Sequence, residues 1–146
     1  MNLTTIIITK NEESNIVDAI ESVKFSGQII VVDNVSKDRT VELAKRNGVE
    51  VASKKFDSFS KQREFVLKEV KSDWILYIDA DERVTEELKE EIEKVILNKD
   101  SKDAYKLKRR NYYYGDHEWY FHENMERLFR RDSLKGWSGE IHESPV

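Results

Sequence analysis

Short apolar runs alternate with longer amphipathic segments through the first hundred residues of the chain. Four such runs, at residues 3–9, 28–32, 49–52 and 74–78, are typical of strands buried on both faces of a sheet. After each run, apolar residues recur every three or four positions, which predicts an amphipathic helix. Strand and helix therefore alternate four times, and this order predicts an α/β fold with a mainly parallel sheet and helices on both faces.

Polar residues mark where the later helices begin and end. Asp38, Thr85 and either Ser58 or Ser60 precede apolar helical segments and have the short oxygen-bearing side chains that cap helix N-termini. Gly48 follows the second predicted helix, in the position that favours a glycine. These residues predict, from the sequence alone, where the helices begin and end.

The pattern changes near residue 103. Nine of the fifteen aromatic residues lie between positions 105 and 137, interleaved with lysine and arginine, and their spacing favours strands and loops over helices. We therefore assign residues 1–102 to the α/β part and residues 103–146 to a mixed strand-and-loop extension of the same domain, packed against the first part.

Composition excludes several classes of protein. The 146 residues contain no cysteine, which excludes disulfides, a cysteine-based zinc site and a thiol nucleophile. The net charge of −4 argues against a nucleic-acid partner, despite the basic residues near position 108. The first residues lack a basic region and carry too short an apolar run for a secretory leader, and no run approaches the length of a membrane span, so we expect neither. We expect a cytoplasmic protein.

Parallel sheets bind ligands beyond the carboxyl ends of their strands, so polar residues there are the candidates for chemistry. Asp79, Asp81 and Glu82 follow the fourth apolar run directly. Carboxylate oxygens suit Mg²⁺ or Mn²⁺, which usually share their coordination shell with substrate phosphates. The alternative is an acidic helix cap with solvated neighbours.

The ends of the other strands carry further candidates. Asp33 and Asn34 can hydrogen-bond a ribose or a base, although turn formation explains the same residue types. The segment from Thr9 through Asn11 and Glu12 offers polar side chains and helix-start amides to a nucleotide. Arg63 opens the third helix and is placed to meet phosphates, or to lie on a solvated helix face.

Taken together, four segments resemble the family 2 glycosyltransferases, which have the GT-A fold. They are T-I-I-I-T-K-N-E-E, I-I-V-V-D-N-V-S-K-D-R-T-V, S-K-Q-R and W-I-L-Y-I-D-A-D-E, and the later R-L-F-R-R and W-S-G-E-I-H-E are also similar to that family. The resemblance is greatest to bacterial lipopolysaccharide-core and cell-surface glycan glucosyltransferases. One departure is Val35, which stands where the relatives usually have a glycine.

The resemblance implies transfer of a sugar, with inversion, from a nucleotide-diphosphate donor, with a UDP-sugar favoured. The implied acceptor is a cell-surface glycan or a lipid-linked acceptor, so peripheral contact with the inner face of the membrane is a further expectation. Asp81 would bind the Mn²⁺ or Mg²⁺, with Asp79 near both the metal and the ribose. The implied nucleotide pocket comprises Thr9, Asn11, Glu12, Asp33, Asn34, Arg63 and Asp79.

Inverting transfer also needs a carboxylate to take the proton of the acceptor hydroxyl. Glu143 is the first candidate because it lies in the family-like H-E pair, followed by Glu126 and Glu140, with Asp116 also considered. His142 could be a metal ligand. Stacking on sugar rings is open to Trp119, Trp137 and the tyrosines at 112–114, for which core packing is the plainer interpretation.

Two other functions remain open on the sequence. The run I-L-Y-I-D-A-D-E-R-V is also similar to the first motif of haloacid dehalogenase-like phosphatases, in which Asp79 would be the nucleophile and Asp81 the acid. That motif belongs on the first strand of its fold, whereas here it follows the fourth. The chain ends at Val146, where relatives commonly continue, so a truncated module that binds nucleotide-sugar without transferring it is the second alternative.

Overall fold

The computed structural model describes residues 2–113, 115, 117–138 and 144–146. The helices are α1 (Ile16–Ser22), α2 (Thr40–Arg46), α3 (Phe59–Phe65) and α4 (Glu86–Leu97). The strands are β1 (Leu3–Thr9), β2 (Gln28–Asp33), β3 (Glu50–Ser53), β4 (Trp74–Asp79), β5 (Ala104–Arg109), β6 (Tyr112–Tyr113), β7 (His117–Glu118), β8 (Glu123–Arg130), β9 (Trp137–Ser138) and β10 (Ser144–Pro145).

Six of these strands form one twisted sheet in the order β3-β2-β1-β4-β8-β5. The pairings of β1 with β2, β1 with β4 and β2 with β3 are parallel, whereas β8 runs antiparallel to both β4 and β5. The predicted α/β fold with a mainly parallel sheet is confirmed. The four predicted strands match β1 to β4 within one residue at each end.

The sheet is buried on both faces, as its uninterrupted apolar strands require. One face packs against α1, α2 and α4, with Ile20, Ala44 and Ile92 in a cluster that also contains Leu76. The other face packs against α3 and the turns that follow it. Residues 74–78 of β4 are all buried between β1 and β8. Helices therefore cover both faces, and β4 lies in the interior of the sheet.

The region after residue 103 does not stack on the first part as a separate layer. Its strands β5 and β8 extend the main sheet, because β8 pairs with β4 through Trp74–Arg130, Ile75–Phe129 and Leu76–Leu128. Two short antiparallel pairs, β6 with β7 and β9 with β10, lie outside this sheet. Since β8 runs opposite to β4, the first half of β8 lies toward the carboxyl end of β4.

The predicted helix caps are largely present. The hydroxyls of Ser58 and Thr85 accept hydrogen bonds from the amides of Lys61 and Leu88, three residues on in each case. Gly48 has φ +74° just after α2, which is the left-handed conformation expected of its position. The N-cap residue of α2 is Arg39 and not Asp38. Asp38 lies one position before the cap, and its carboxylate accepts a hydrogen bond from the amide of Thr40, the first residue of the helix.

Among the residues that the structure describes, no helix is both long and apolar enough to cross a lipid bilayer.

Candidate active site

The candidate site lies at the carboxyl edge of the sheet, where β1, β2 and β4 end next to one another. Parallel registers place Thr9 beside Asp33 and Ile8 beside Asp79. Buried Gln62 of α3 donates to the carbonyl oxygens of Thr9, at 3.2 Å, and Val32, at 2.7 Å. This side chain fixes the start of α3 over the ends of β1 and β2, and so brings Arg63 to the same edge.

Asp79 lies between two buried arginines. Its Oδ1 accepts a hydrogen bond from Arg63 at 3.2 Å, and its Oδ2 accepts one from Arg127 at 2.9 Å. The two arginine side chains are only 7% and 6% exposed, whereas that of Asp79 is 32% exposed. Ionised arginine is buried only when it is paired, so this carboxylate is part of what keeps both cations inside.

Arg63 is held in place by aromatic residues on the face of the sheet that packs against α3. Its guanidinium carbon lies 5.1 Å from the centre of the Trp137 ring, within the range of a cation–π contact. The Tyr77 hydroxyl donates to the Arg63 carbonyl at 2.9 Å. Trp137 also packs edge-on against Tyr77 and Phe129. Trp137 therefore belongs to the core and to the support of Arg63, in line with the plainer interpretation of this residue.

Glu82 is the second carboxylate of this edge, with a side chain that is only 18% exposed. Its Oε2 accepts the Asp79 amide at 2.9 Å, and its Oε1 accepts from Arg127 at 2.8 Å and from Arg109 at 3.4 Å. Burial raises the pKa of Glu82, the negative charge of Asp79 raises it further, and Arg127 opposes both. The turn after β4 is thereby tied to β8 and β5.

Asp33 is fully buried at the end of β2 and is bonded within its own loop. Its carboxylate accepts hydrogen bonds from the Ser36 amide at 3.0 Å, the Ser36 hydroxyl and the Ser53 hydroxyl at 2.7 Å. Val35, in the same loop, has φ +53°, a left-handed conformation that is unusual for a β-branched residue. The loop thus has a glycine-like backbone at the position where the relatives usually carry glycine.

The remaining predicted nucleotide residues surround this loop. The Asn11 side chain accepts the Lys37 amide at 2.8 Å, and the Asn34 side chain accepts the Phe56 amide at 3.0 Å. Glu12 accepts from Asn15 at 2.8 Å. The Thr9 hydroxyl is buried and has no hydrogen-bond partner among the described residues. Three of these side chains therefore support loops, whereas the Thr9 hydroxyl is a buried polar atom without a partner among the described residues.

Asp81 is exposed, in contrast to its neighbours on either side. Within the described ranges, no group of three or more acidic, histidine or cysteine side chains is arranged to hold a metal ion. Asp81 and the partly exposed Asp79 offer hard carboxylate oxygens, which is the donor set of a cation that takes its other ligands from phosphate and water. The residues present thus fit Mg²⁺ or Mn²⁺ bound together with a diphosphate.

The candidates for the base are only partly described. Glu126, on β8, forms an ion pair with Lys106 of β5, with 3.5 Å between Nζ and Oε1. Glu140, Glu143, Asp116 and His142 lie outside the described residues, so their assigned roles stay predictions.

Exposed aromatic residues lie beyond the end of β5, next to the edge that carries Glu82. Trp119 is 51% exposed, Tyr112 57%, Tyr120 88% and Phe121 68%. The connection to the site is short, because Arg109, the last residue of β5, contacts Glu82. These rings, unlike Trp137, are available to a ligand.

Sequence reasoning missed three residues of this edge: Glu82 as a buried carboxylate, and Arg109 and Arg127 as its partners. Arg127 lies 48 positions after Asp79, and only the antiparallel pairing of β8 brings the two together. The R-L-F-R-R segment resembles the family, but in the sequence its first arginine precedes the apolar Leu128 like any polar strand residue. No local signal separated it from a solvated position.

The model of the family described as "Glycosyl transferase family 2" matches residues 4–144, nearly the whole chain. The chain belongs to glycosyl transferase family 2. The resemblance inferred from its motifs is therefore confirmed.

Curated relatives of the chain carry names from the same family. An uncharacterized glycosyltransferase of Rickettsia typhi is 44% identical over 117 residues, covering 78% of this chain and 40% of that protein. The lipopolysaccharide core biosynthesis glycosyltransferase LpsC of Rhizobium meliloti is 28% identical, covering 99% of this chain and 57% of that protein. The chain thus spans about two fifths of the Rickettsia relative.

Solved structures share the fold. The complex of Staphylococcus aureus TarS with UDP-GlcNAc has a TM-score of 0.55 at 22% identity, covering 66% of this chain and 31% of that one. Glucosyl-3-phosphoglycerate synthase from Mycobacterium tuberculosis, in complex with Mn²⁺, UDP and glucosyl-3-phosphoglycerate, has a TM-score of 0.50 at 22% identity, covering 53% of this chain and 33% of that one. The GT-A fold is confirmed.

Proposed function

We propose that this chain transfers a sugar from a UDP-sugar to a cell-surface glycan or lipid-linked acceptor, with inversion and with the help of a divalent metal. The observation that carries the proposal is the convergence of Asp33, Arg63, Asp79 and Asp81 at one sheet edge in a family 2 chain. Residues 1–102 would hold the donor, and residues 103–146 would receive the acceptor.

The donor assignment rests on chemistry and on the relatives. Arginines at this edge suit a diphosphate, because phosphate oxygens, like carboxylate oxygens, accept charge-assisted hydrogen bonds from guanidinium. Asp33 and the orphan hydroxyl of Thr9 lie next to each other at the ends of β2 and β1, where a nucleoside would sit. TarS was solved with UDP-GlcNAc, and the mycobacterial synthase with UDP and Mn²⁺.

In the proposed reaction, the acceptor hydroxyl attacks the anomeric carbon and the bond to the UDP oxygen breaks, so UDP leaves from the opposite face. Asp81, with Asp79, would hold Mg²⁺ or Mn²⁺, and a cation there neutralises the charge that develops on the diphosphate. Arg63 would bind and orient the same phosphates. Glu143, or else Glu126 or Glu140, would take the proton of the acceptor hydroxyl.

The acceptor assignment rests on the exposed rings next to the site. Flat rings such as those of Trp119 and Tyr112 can stack on the apolar faces of sugars, while their polar tips remain in water. LpsC, by its name, acts in lipopolysaccharide core biosynthesis. Together these support a glycan, with peripheral contact at the inner face of the membrane as the corresponding location.

The phosphatase alternative is disfavoured by the family match and by topology, since the D-x-D follows the fourth strand along the chain. A module that binds nucleotide-sugar without transferring it remains distinguishable by experiment. Release of UDP coupled to glycosylation of an acceptor supports transfer, and binding without turnover supports the module.

The proposal is tested by calorimetric titration of UDP and UDP-sugars with Mn²⁺ and with EDTA. Even the loss of an indirect partner of a metal costs about 10–100-fold in affinity. Asp81→Asn should therefore lower the Mn²⁺-dependent UDP affinity at least about tenfold while the fold survives, because Asp81 is exposed. Asp100→Asn, also exposed, is the matched control. Equal binding of UDP in EDTA, or normal binding by the Asp81 variant, would refute the metal role.

A further inference from the structure

We propose that Glu82 is a positioning residue that fixes the direction of Asp81 and joins the proposed donor site to the strands of the acceptor side. This inference rests on the function proposed above. It assigns to Glu82, Arg109 and Arg127 a role that neither the motif nor the relatives' names give them.

The first step is the closed turn that Glu82 forms with Asp79. The Glu82 amide donates to the Asp79 carbonyl at 2.9 Å, and the Glu82 side chain accepts the Asp79 amide at 2.9 Å. Two reciprocal hydrogen bonds thus enclose Ala80 and Asp81. Because Ala80 is 2% exposed and Asp81 is exposed, the closed turn holds one residue inward and leaves the other in solvent at the carboxyl edge of the sheet.

The second step is the link to the later strands. The other carboxylate oxygen of Glu82 accepts from Arg127 of β8 and Arg109 of β5. Arg127 also donates to Asp79, and Arg109 also pairs with Glu123 at the start of β8. One carboxylate therefore touches the turn with one oxygen and both acceptor-side strands with the other.

The third step is the burial of this link. The side chains of Glu82 and Arg127 are 18% and 6% exposed, so solvent screens their attraction little. A hydrogen-bonded ion pair in such surroundings is directional, and removing one partner leaves the other uncompensated. Any displacement of β8 would consequently be transmitted to the turn that carries Asp81.

The inference is tested with Glu82→Gln. Glutamine keeps the size of the side chain but removes the charge that holds both arginines. We expect the gain in UDP affinity on adding Mn²⁺ to fall about tenfold, with the affinity in EDTA unchanged within twofold. Glu86→Gln is the control, because Glu86 lies nearby at the start of α4 and its side chain, 83% exposed, pairs with Lys89 three residues on. If Glu82→Gln keeps the full gain, the inference is wrong.

Two further measurements separate the possible failures. Should Glu82→Gln not fold, Glu82→Asp keeps the charge but is one methylene shorter, so it cannot reach the turn and the arginines together, and the same loss is expected. Hydrogen exchange at the Asp79 amide needs no ligand, and it should accelerate at least about tenfold in either variant. If the unmodified protein shows no metal-linked UDP binding, the proposed function fails, and unchanged exchange would overturn the role of Glu82 separately.

Discussion

Replacing Arg127 with glutamine should destabilise the protein far more than the same replacement of an exposed arginine. The guanidinium is 6% exposed and donates to Asp79 at 2.9 Å and to Glu82 at 2.8 Å. Breaking a buried ion pair by removing one partner costs roughly 3–5 kcal/mol. Arg63 still serves Asp79 and Arg109 still serves Glu82, so we expect the lower end, about 3 kcal/mol.

The assay is thermal and urea unfolding followed by circular dichroism. For a chain of this size, 1 kcal/mol shifts Tm by about 2–4 °C, so Arg127→Gln should lower Tm by about 6–12 °C. Arg46→Gln is the matched control, because its ion pair with Glu42 is also 2.8 Å long but the two side chains are 66% and 46% exposed. An exposed helical pair of this kind contributes only about 0.3–0.5 kcal/mol.

The pH dependence has a definite sign. Burial already raises the pKa of Glu82, and losing Arg127 removes the charge that opposed the rise. A carboxyl group whose pKa is raised on folding favours the folded state at low pH and loses that contribution as pH rises through the folded pKa. The difference in the free energy of unfolding between Arg127→Gln and the unmodified protein should therefore become smaller on acidification from pH 7. Equal losses for Arg127→Gln and Arg46→Gln, or a difference that becomes larger in acid, would refute the reasoning.

Two further predictions concern the base and the loop after β2. Glu143→Gln should lower the transfer rate roughly 10²–10⁴-fold, since it removes the proposed base, and should leave donor affinity within a few-fold. Single-turnover transfer and UDP calorimetry check this, with Glu126→Gln and Glu140→Gln measured in parallel. Normal turnover by Glu143→Gln would pass the role to one of these two residues. Val35→Gly should stabilise the protein by on the order of 1 kcal/mol. The left-handed conformation costs an L-residue about 1–2 kcal/mol, and the greater backbone entropy that glycine loses on folding offsets part of that gain. A lower urea midpoint for Val35→Gly would contradict this.

The parts of the fold that follow from local pattern were predictable. Residues 74–78 are apolar throughout, so no register could place one of them in water, and β4 is buried as expected. The cap of α2 lies one position later than predicted: Asp38 accepts the Thr40 amide, but Arg39 is the N-cap residue. Asp38 also accepts the Glu13 amide at 3.1 Å, so part of its hydrogen bonding goes to the segment after β1, which local propensity does not reveal.

The candidate site was predictable only where it lies on strand ends. Asp79 and Asp81 stand directly after an apolar run, and the rule for parallel sheets places them at the edge. The charges that neutralise Asp79 come from α3 and β8, 16 positions before it and 48 after it. Such pairs depend on which strands become neighbours, and the residues beyond 103 gave no sign that β8 would insert next to β4.

The insertion of β8 between β4 and β5 also constrains how the chain can fold as it is synthesised. Until residues 123–130 leave the ribosome, β4 has no partner on one side, and residues 74–78 form an open, apolar sheet edge of the kind that templates aggregation. Asp79 and Glu82 also lack Arg127 during that interval. A chaperone that shields strand edges would therefore matter most while the first hundred or so residues have been synthesised and β8 has not.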